Sequence, residues 1–177
     1  MADPAAALAR YEELLRNWAP RLNLVATGDL PRLRERHIDD SLRLAPLLEE
    51  LPEGPCIDVG SGAGLPGIPL AIAGSPRGWR LLEPRRKRAA FLEEVVRELG
   101  LEVEVLALSA EQAALDRRLR AGHALAVARA LAEPPAALDL LRPLVGAHGI
   151  AALYLGRGAE PPPGSEEWRG GIAIVRL

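Results

Sequence analysis

The stretch "IDVGSGAGLPGIPLAI", residues Ile57–Ile72, decides the fold. It starts as a short apolar run and ends as a helical one, with Gly60, Gly62, Gly64 and Gly67 between. Glycine is entropically costly, so four within eight residues mark a sharp turn or a close approach to the backbone. "PCIDVG" reads as a buried strand closed by glycine. "GIPLAIAG" reads as a helix with Pro66 near its start and Gly74 after its end. In sheets built from such units, ligands bind beyond the carboxyl ends of the strands.

The same alternation continues downstream. Strands are expected over Trp79–Glu83, "EVEVLAL", "HALAVARA", "GIAALYL" and "GIAIVRL". Helices are expected over "RKRAAFLEEVVREL", with Gly100 as its stop, over Ala110–Arg120 and over "AALDLLRPLV". "EPPPGSEE" reads as a proline-rich loop. Strand and helix alternating at this interval predict an α/β fold, a mostly parallel sheet with helices on both faces. Upstream, Leu8, Tyr11, Leu14, Leu15 and Trp18 lie at helical spacing on a helix ending near Pro20. A second helix is expected with Asp29 as N-cap, interrupted at Pro46. The 177 residues therefore read as a single domain, residues 1–177: a helical cap over 1–52 and an α/β core over 53–177.

Composition narrows the function classes. A formal net charge of −2 gives no global field toward nucleic acid, so any basic surface must be local. Cys56 is the single cysteine and sits inside the first strand, which excludes an internal disulfide and reads as buried packing. The three histidines, His37, His123 and His148, form no visible ligand cluster, so no metal is expected. No apolar run is long enough to span a membrane, and the N-terminus turns charged too soon for a signal peptide, so a cytoplasmic protein is expected.

Glu83 ends the second strand, where an acid hydrogen-bonds ribose hydroxyls. Asp58, at the carboxyl end of the first strand, can hold an ammonium group or a bound water. The literal G-x-G-x-x-G pattern runs from Gly62 to Gly67, but the register directly after the strand is Gly60-x-Gly62-x-Gly64. No phosphate-seeking lysine follows the loop. On these residues a nicotinamide dinucleotide and S-adenosylmethionine both fit.

A more specific pattern spans the chain. "RHIDDSL", "DVGSGAGLPGIPLAI", "LLEPRRKRAAFLEEV", "SAE" and "ARAL" occur in that order from about Trp18 to Leu155. The chain resembles the glucose-inhibited division protein B family, bacterial methyltransferases of a guanine N7 in small-subunit ribosomal RNA. The resemblance implies a Rossmann-like class I S-adenosylmethionine-dependent methyltransferase fold. It implies cofactor contacts at Gly60, Leu65, Glu83, Ala110 and Glu111, with Gly62, Gly64 and Asp58 in the same loop and strand end. Arg129 matches an arginine after the fourth strand, where the reacting base should enter, and also borders the cofactor. His37, Asp40 and Ser41 match a helix motif facing the cleft, which makes Arg129, His37 and Asp40 the candidate catalytic residues. Two departures stand out. "YLGRG" replaces a lysine-glycine pair, with Arg157 as substitute, and the family's terminal strand hairpin is expected shortened to "GIAIVRL".

The implied chemistry needs little from the protein. Guanine N7 already carries a lone pair, and the sulfonium makes its methyl electrophilic. Alignment by itself lowers such barriers by roughly 7–11 kcal/mol, so the lack of an obvious base is expected. Two basic clusters offer phosphate contacts: Arg32, Arg34 and Arg36 before the first strand, and Arg85, Arg86, Lys87 and Arg88 after the second. Each reads equally as a solvated helix face. The expected partner is 16S ribosomal RNA or the small ribosomal subunit, with no membrane, no obligate protein partner, and a monomer. Two other readings remain: a methyltransferase of another RNA, a protein or a small molecule, and a degenerate member that binds the ribosome without catalysis.

Overall fold

The computed structural model describes residues 3–74 and 77–177. Helix α1 spans Pro4–Leu22; Asp3 caps it by accepting from the Ala5 N–H, and Asn23 ends it in the left-handed conformation. It runs past Pro20, because a proline in the last turn costs one N–H while Asn23 still donates to the Ala19 carbonyl. The expected second helix is irregular instead: a 3₁₀ turn over Thr27–Arg32, a π-helical turn over Arg34–Asp39, a single α turn, α2, over Asp40–Leu42, and a 3₁₀ turn over Ala45–Glu49. Asp29 is not its N-cap; it lies inside the first of these turns and spends its carboxylate on Arg36 and His37.

One seven-stranded sheet follows, in the order β3-β2-β1-β4-β5-β7-β6. Strands β1 (Cys56–Val59), β2 (Trp79–Leu82), β3 (Val103–Leu106), β4 (His123–Arg129) and β5 (Val145–Tyr154) are parallel. Strand β7 (Ile172–Arg176) is antiparallel to both β5 and β6 (Glu166–Trp168). The expected shortening of the terminal hairpin is therefore corrected: Glu166–Trp168 supplies the second strand. Three residues on a sheet edge, two of them acidic, carry too little apolar alternation to announce it.

Helices α3 (Gly67–Ala73), α4 (Arg86–Leu99), α5 (Ala110–Leu115) and α6 (Pro134–Leu141) make the crossovers. Helix α5 ends at Leu115, five residues short of the expected Arg120, where Asp116 takes extended geometry. β1 is buried at every residue and β4 at all but its last, as a doubly covered sheet requires. On one face Ile57, Val59, Ala126 and Ala128 pack against Leu138 and Leu141 of α6. Toward α1, α3 and α4, Leu81 packs with Leu15, Ile68, Leu92 and Val95. Each such leucine, isoleucine or valine stabilises by about 1.5–3 kcal/mol on burial. The chain reverses direction across the sheet between β1 and β4, and the ends of both strands open into the cleft described next. Among the described residues no helix is long and apolar enough to cross a membrane.

Candidate functional site

The loop between β1 and α3 holds Gly60, Gly62 and Gly64 at φ of +73°, +57° and +90°. Three of its glycines are demanded by the chain's own packing. A Cβ on Gly60 would lie 2.6 Å from Leu131 Cδ1, one on Gly64 2.7 Å from Ile68 Cγ1, and one on Gly67 2.5 Å from Leu81 Cδ2. Gly62 differs: the nearest atoms to its Cβ position, Arg88 Nη1 and the Gly60 carbonyl oxygen, lie 3.8 Å away, so the space beside it is open.

Two carboxylates hold this loop from behind. Asp58 is fully buried; Oδ2 accepts the Gly67 N–H at 2.9 Å, and Oδ1 has no partner. Burial pushes its pKa up to about 7. Glu83, 4% exposed, accepts the Gly62 N–H at 3.0 Å and the Arg85 N–H at 2.8 Å. From the other side, Tyr11 of α1 donates its hydroxyl to the Ala63 carbonyl at 2.8 Å.

The second wall rises from the carboxyl ends of β4 and β5 and the segment before β1. Arg129 ends β4 with its Nη1 3.6 Å from Asp40 Oδ2; the other Asp40 oxygen takes Arg43 Nη2 at 2.8 Å. His37 Nε2 lies 3.1 Å from Asp29 Oδ2. A carboxylate only accepts, so Nε2 carries the proton and the buried, unpartnered Nδ1 keeps a lone pair. Burial, then the nearby Arg129 charge, lowers the His37 pKa, which keeps the imidazole neutral. Ser41 Oγ donates to the His37 carbonyl at 2.6 Å, and Tyr154 at the end of β5 donates its hydroxyl to the Ser41 carbonyl. The "RHIDDSL" motif is thus tied to the end of the sheet.

Between these walls lies a cleft of about 610 Å³, a volume usual for small-molecule sites. Of the residues singled out in the sequence, Gly60, Gly62, Leu65, Arg36, His37, Arg88 and Arg129 line it. Asp58 and Glu83 hold the loop from behind and Gly64 lies within it; none of the three is part of the cleft lining. Asp40 reaches the cleft through Arg129. Ala110 and Glu111 sit at the start of α5, where Ser109 and Gln112 form a reciprocal cap, outside the cleft lining. Arg32 is exposed and Arg34 half-buried; they pair with Glu35 and Asp39, and Arg36 pairs with Asp29. Arg85, Arg86 and Lys87 are exposed at the start of α4, and Arg157 is exposed after β5. The sequence reading missed Tyr11, Arg43, Tyr154 and Leu131 as parts of the site. The only signal for the tyrosines was a hydroxyl at the end of an apolar face. Arg43 carried none, and Leu131 stood in the "ARAL" motif with no role assigned to it. Among the described residues no group of three or more His, Cys, Asp and Glu side chains could hold a metal ion.

A parallel sheet with this strand order, one antiparallel strand beside β5 and a glycine loop after β1 defines the Rossmann-like S-adenosylmethionine-dependent methyltransferase fold. A SAM-dependent O-methyltransferase from Thermotoga maritima shares it, with a TM-score of 0.51 and 20% identity over 71% of this chain and 48% of that one. The chain belongs to the GidB family, whose model, described as rRNA small subunit methyltransferase G, matches residues 5–161. Two relatives carry the name Ribosomal RNA small subunit methyltransferase G. The one from Granulibacter bethesdensis is 44% identical over 86% of this chain and 68% of its own length. The one from Acidiphilium cryptum is 38% identical over 96% and 82%.

Proposed function

We propose that this chain transfers a methyl group from S-adenosylmethionine to N7 of a guanine in 16S ribosomal RNA. One observation carries the reading: a single cleft has the glycine loop on one wall and Arg129 with His37 on the other. The residues present fit the cofactor, since Gly62 leaves open space where a side chain would stand and the cleft lies directly beside it. Gly60, Gly62 and Leu65 would hold it, with Glu83 shaping the loop and able to accept from ribose hydroxyls through its remaining lone pairs. Ala110 and Glu111 would border the adenine. The bound cofactor supplies an electrophilic methyl on a cationic sulfur.

The chain's own work is orientation. Arg129 has five N–H donors in a planar fork, held near Asp40, and presents them to the base rather than abstracting a proton. His37 lines the cleft as a neutral imidazole, its Nε2 proton held on Asp29. A cationic N7-methylated purine is accommodated because Asp40 and Asp29 lie beside the two groups that face it. The arginines at 32, 34, 36, 85, 86, 88 and 157, with Lys87, supply phosphate contacts. We read the chain as one domain, a cap over 1–52 on a core over 53–177, acting as a monomer in the cytoplasm.

The test is nucleoside mass spectrometry of small-subunit RNA from cells with and without the gene. Loss of one 7-methylguanosine on deletion, restored by the intact gene but not by a Gly62→Val form, is expected. An unchanged 7-methylguanosine content overturns the assignment.

A further inference from the structure

The cleft does not end at β5. Leu155, Gly156 and Ala159 line it and also line a second cleft of about 740 Å³, walled by the segment after β5 and the turn between β6 and β7. The far wall is firmly built. Arg43 donates Nη1 to the carbonyls of Arg169, at 2.9 Å, and Gly170, while Trp168 Nε1 donates to the Arg43 carbonyl at 3.2 Å. Its charge is already neutralised by Asp40. Arg157 is the other arginine of this lining, and it is exposed. Glu167 also lines the cleft, so an anion would seat at the Arg157 end. Gly156 stands at the junction. A Cβ there meets nothing within 4 Å and its φ is not left-handed, so neither packing nor backbone calls for glycine. Its lack of a side chain leaves the passage open.

A base that reacts inside a cleft must leave its stack, and the phosphate that links it to the next nucleotide then comes down beside the mouth of that cleft. We propose that the second cleft holds the nucleotide adjoining the acceptor guanosine, in single-stranded RNA, with the Arg157 guanidinium on its phosphate. This rests on the RNA-methylating reading of the first cleft. A planar fork of donors matches a phosphate, and the glycine-lined walls let the sugar-phosphate chain approach the backbone closely.

Two measurements on the full chain test it. The first is initial-rate methylation of small-subunit RNA. The second is binding of a labelled uridine pentanucleotide, across salt, to protein saturated with S-adenosylhomocysteine. Arg157→Ala should raise KM for RNA about fivefold with kcat within about twofold, and reduce the log–log salt slope of pentamer binding by about 0.7. Arg157→Lys should restore the slope but not the KM, since an ammonium keeps the charge without the fork. Gly156→Leu should weaken the pentamer more than Arg157→Ala does, with an unchanged melting temperature. An unchanged KM and slope in Arg157→Ala, or equal binding of a blunt RNA duplex, overturns the proposal. If the parent protein methylates no small-subunit RNA, the reading of the first cleft fails, and the pentamer arm still decides the second.

Discussion

Gly62 and Asp58 show how differently a loop residue and the strand residue that braces the loop can serve. Gly62 combines a left-handed φ of +57° with open space beside it and a backbone N–H given to Glu83. A β-branched side chain there meets the left-handed penalty of about 1–2 kcal/mol and also fills the cleft side. Gly62→Val should therefore lower S-adenosylmethionine affinity more than tenfold by calorimetry, whereas Gly28→Ala, outside the loop, should leave it unchanged. Asp58 works through its buried charge. Its pKa stands at about 7 in the folded chain, against about 4 when unfolded. Between those values the folded state binds more protons than the unfolded one, so stability from this group is full below the lower value and is lost as pH rises through 7. Asp58→Asn keeps an acceptor for Gly67 and removes the titration. The urea midpoint should fall less from pH 5 to pH 8 in the variant than in the parent, and parallel falls would show that Asp58 titrates normally.

At the scale of elements, the cap is tied to the core by polar contacts at several points, among them Tyr11 on Ala63, Arg43 on Arg169 and Gly170, and Tyr154 on Ser41. α1 reaches the glycine loop through the Tyr11 hydroxyl on Ala63, in a position that its apolar spacing marks only as core. Tyr11→Phe leaves that buried carbonyl without its partner, at a cost of about 1–3 kcal/mol. Urea unfolding should show that loss. Cofactor affinity should fall a few-fold as well, because the same bond steadies the loop; a loss of stability with unaltered affinity would confine Tyr11 to packing. The core elements were legible because hydrophobic periodicity and glycine punctuation act within a few residues. The segment over Thr27–Glu49 was not, since its turns follow side-chain partners distant in sequence, such as Tyr154 on Ser41 and Arg43 on Gly170. Strand β6 was hidden for a related reason: a three-residue edge strand exists only through its pairing with β7.

Across the whole molecule, a net charge of −2 leaves RNA attraction to local groups, and the fold sorts those groups. Arg34 is neutralised by Asp39 at 2.8 Å, whereas Arg86 is exposed at the start of α4, on the same helix as the cleft-lining Arg88. Arg86→Ala should reduce the log–log salt slope of RNA binding by about 0.7–0.9, and Arg34→Ala by clearly less. Equal slopes for both would mean that the pairing of Arg34 dissolves on binding, and loss of cofactor but not RNA affinity in Arg86→Ala would move that residue to the adenosine pocket.

What the sequence by itself determined about this chain is the α/β class, the order of its core strands and helices, the glycine loop after β1 and the family, because each is written in local spacing or contiguous motif. What only the tertiary structure decided is which of those residues share a space. Gly62, His37 and Arg129 lie far apart in the chain and meet on one cleft because parallel strands bring their carboxyl ends to one side of the sheet. Asp58 and Glu83 were singled out at their strand ends, and only the structure shows that each also braces the loop, since a buried carboxylate at a strand end satisfies the N–H groups of the turn above it. Pairing also separated Arg34 from Arg86, for a carboxylate within hydrogen-bond reach is fixed by the fold rather than by the charge count.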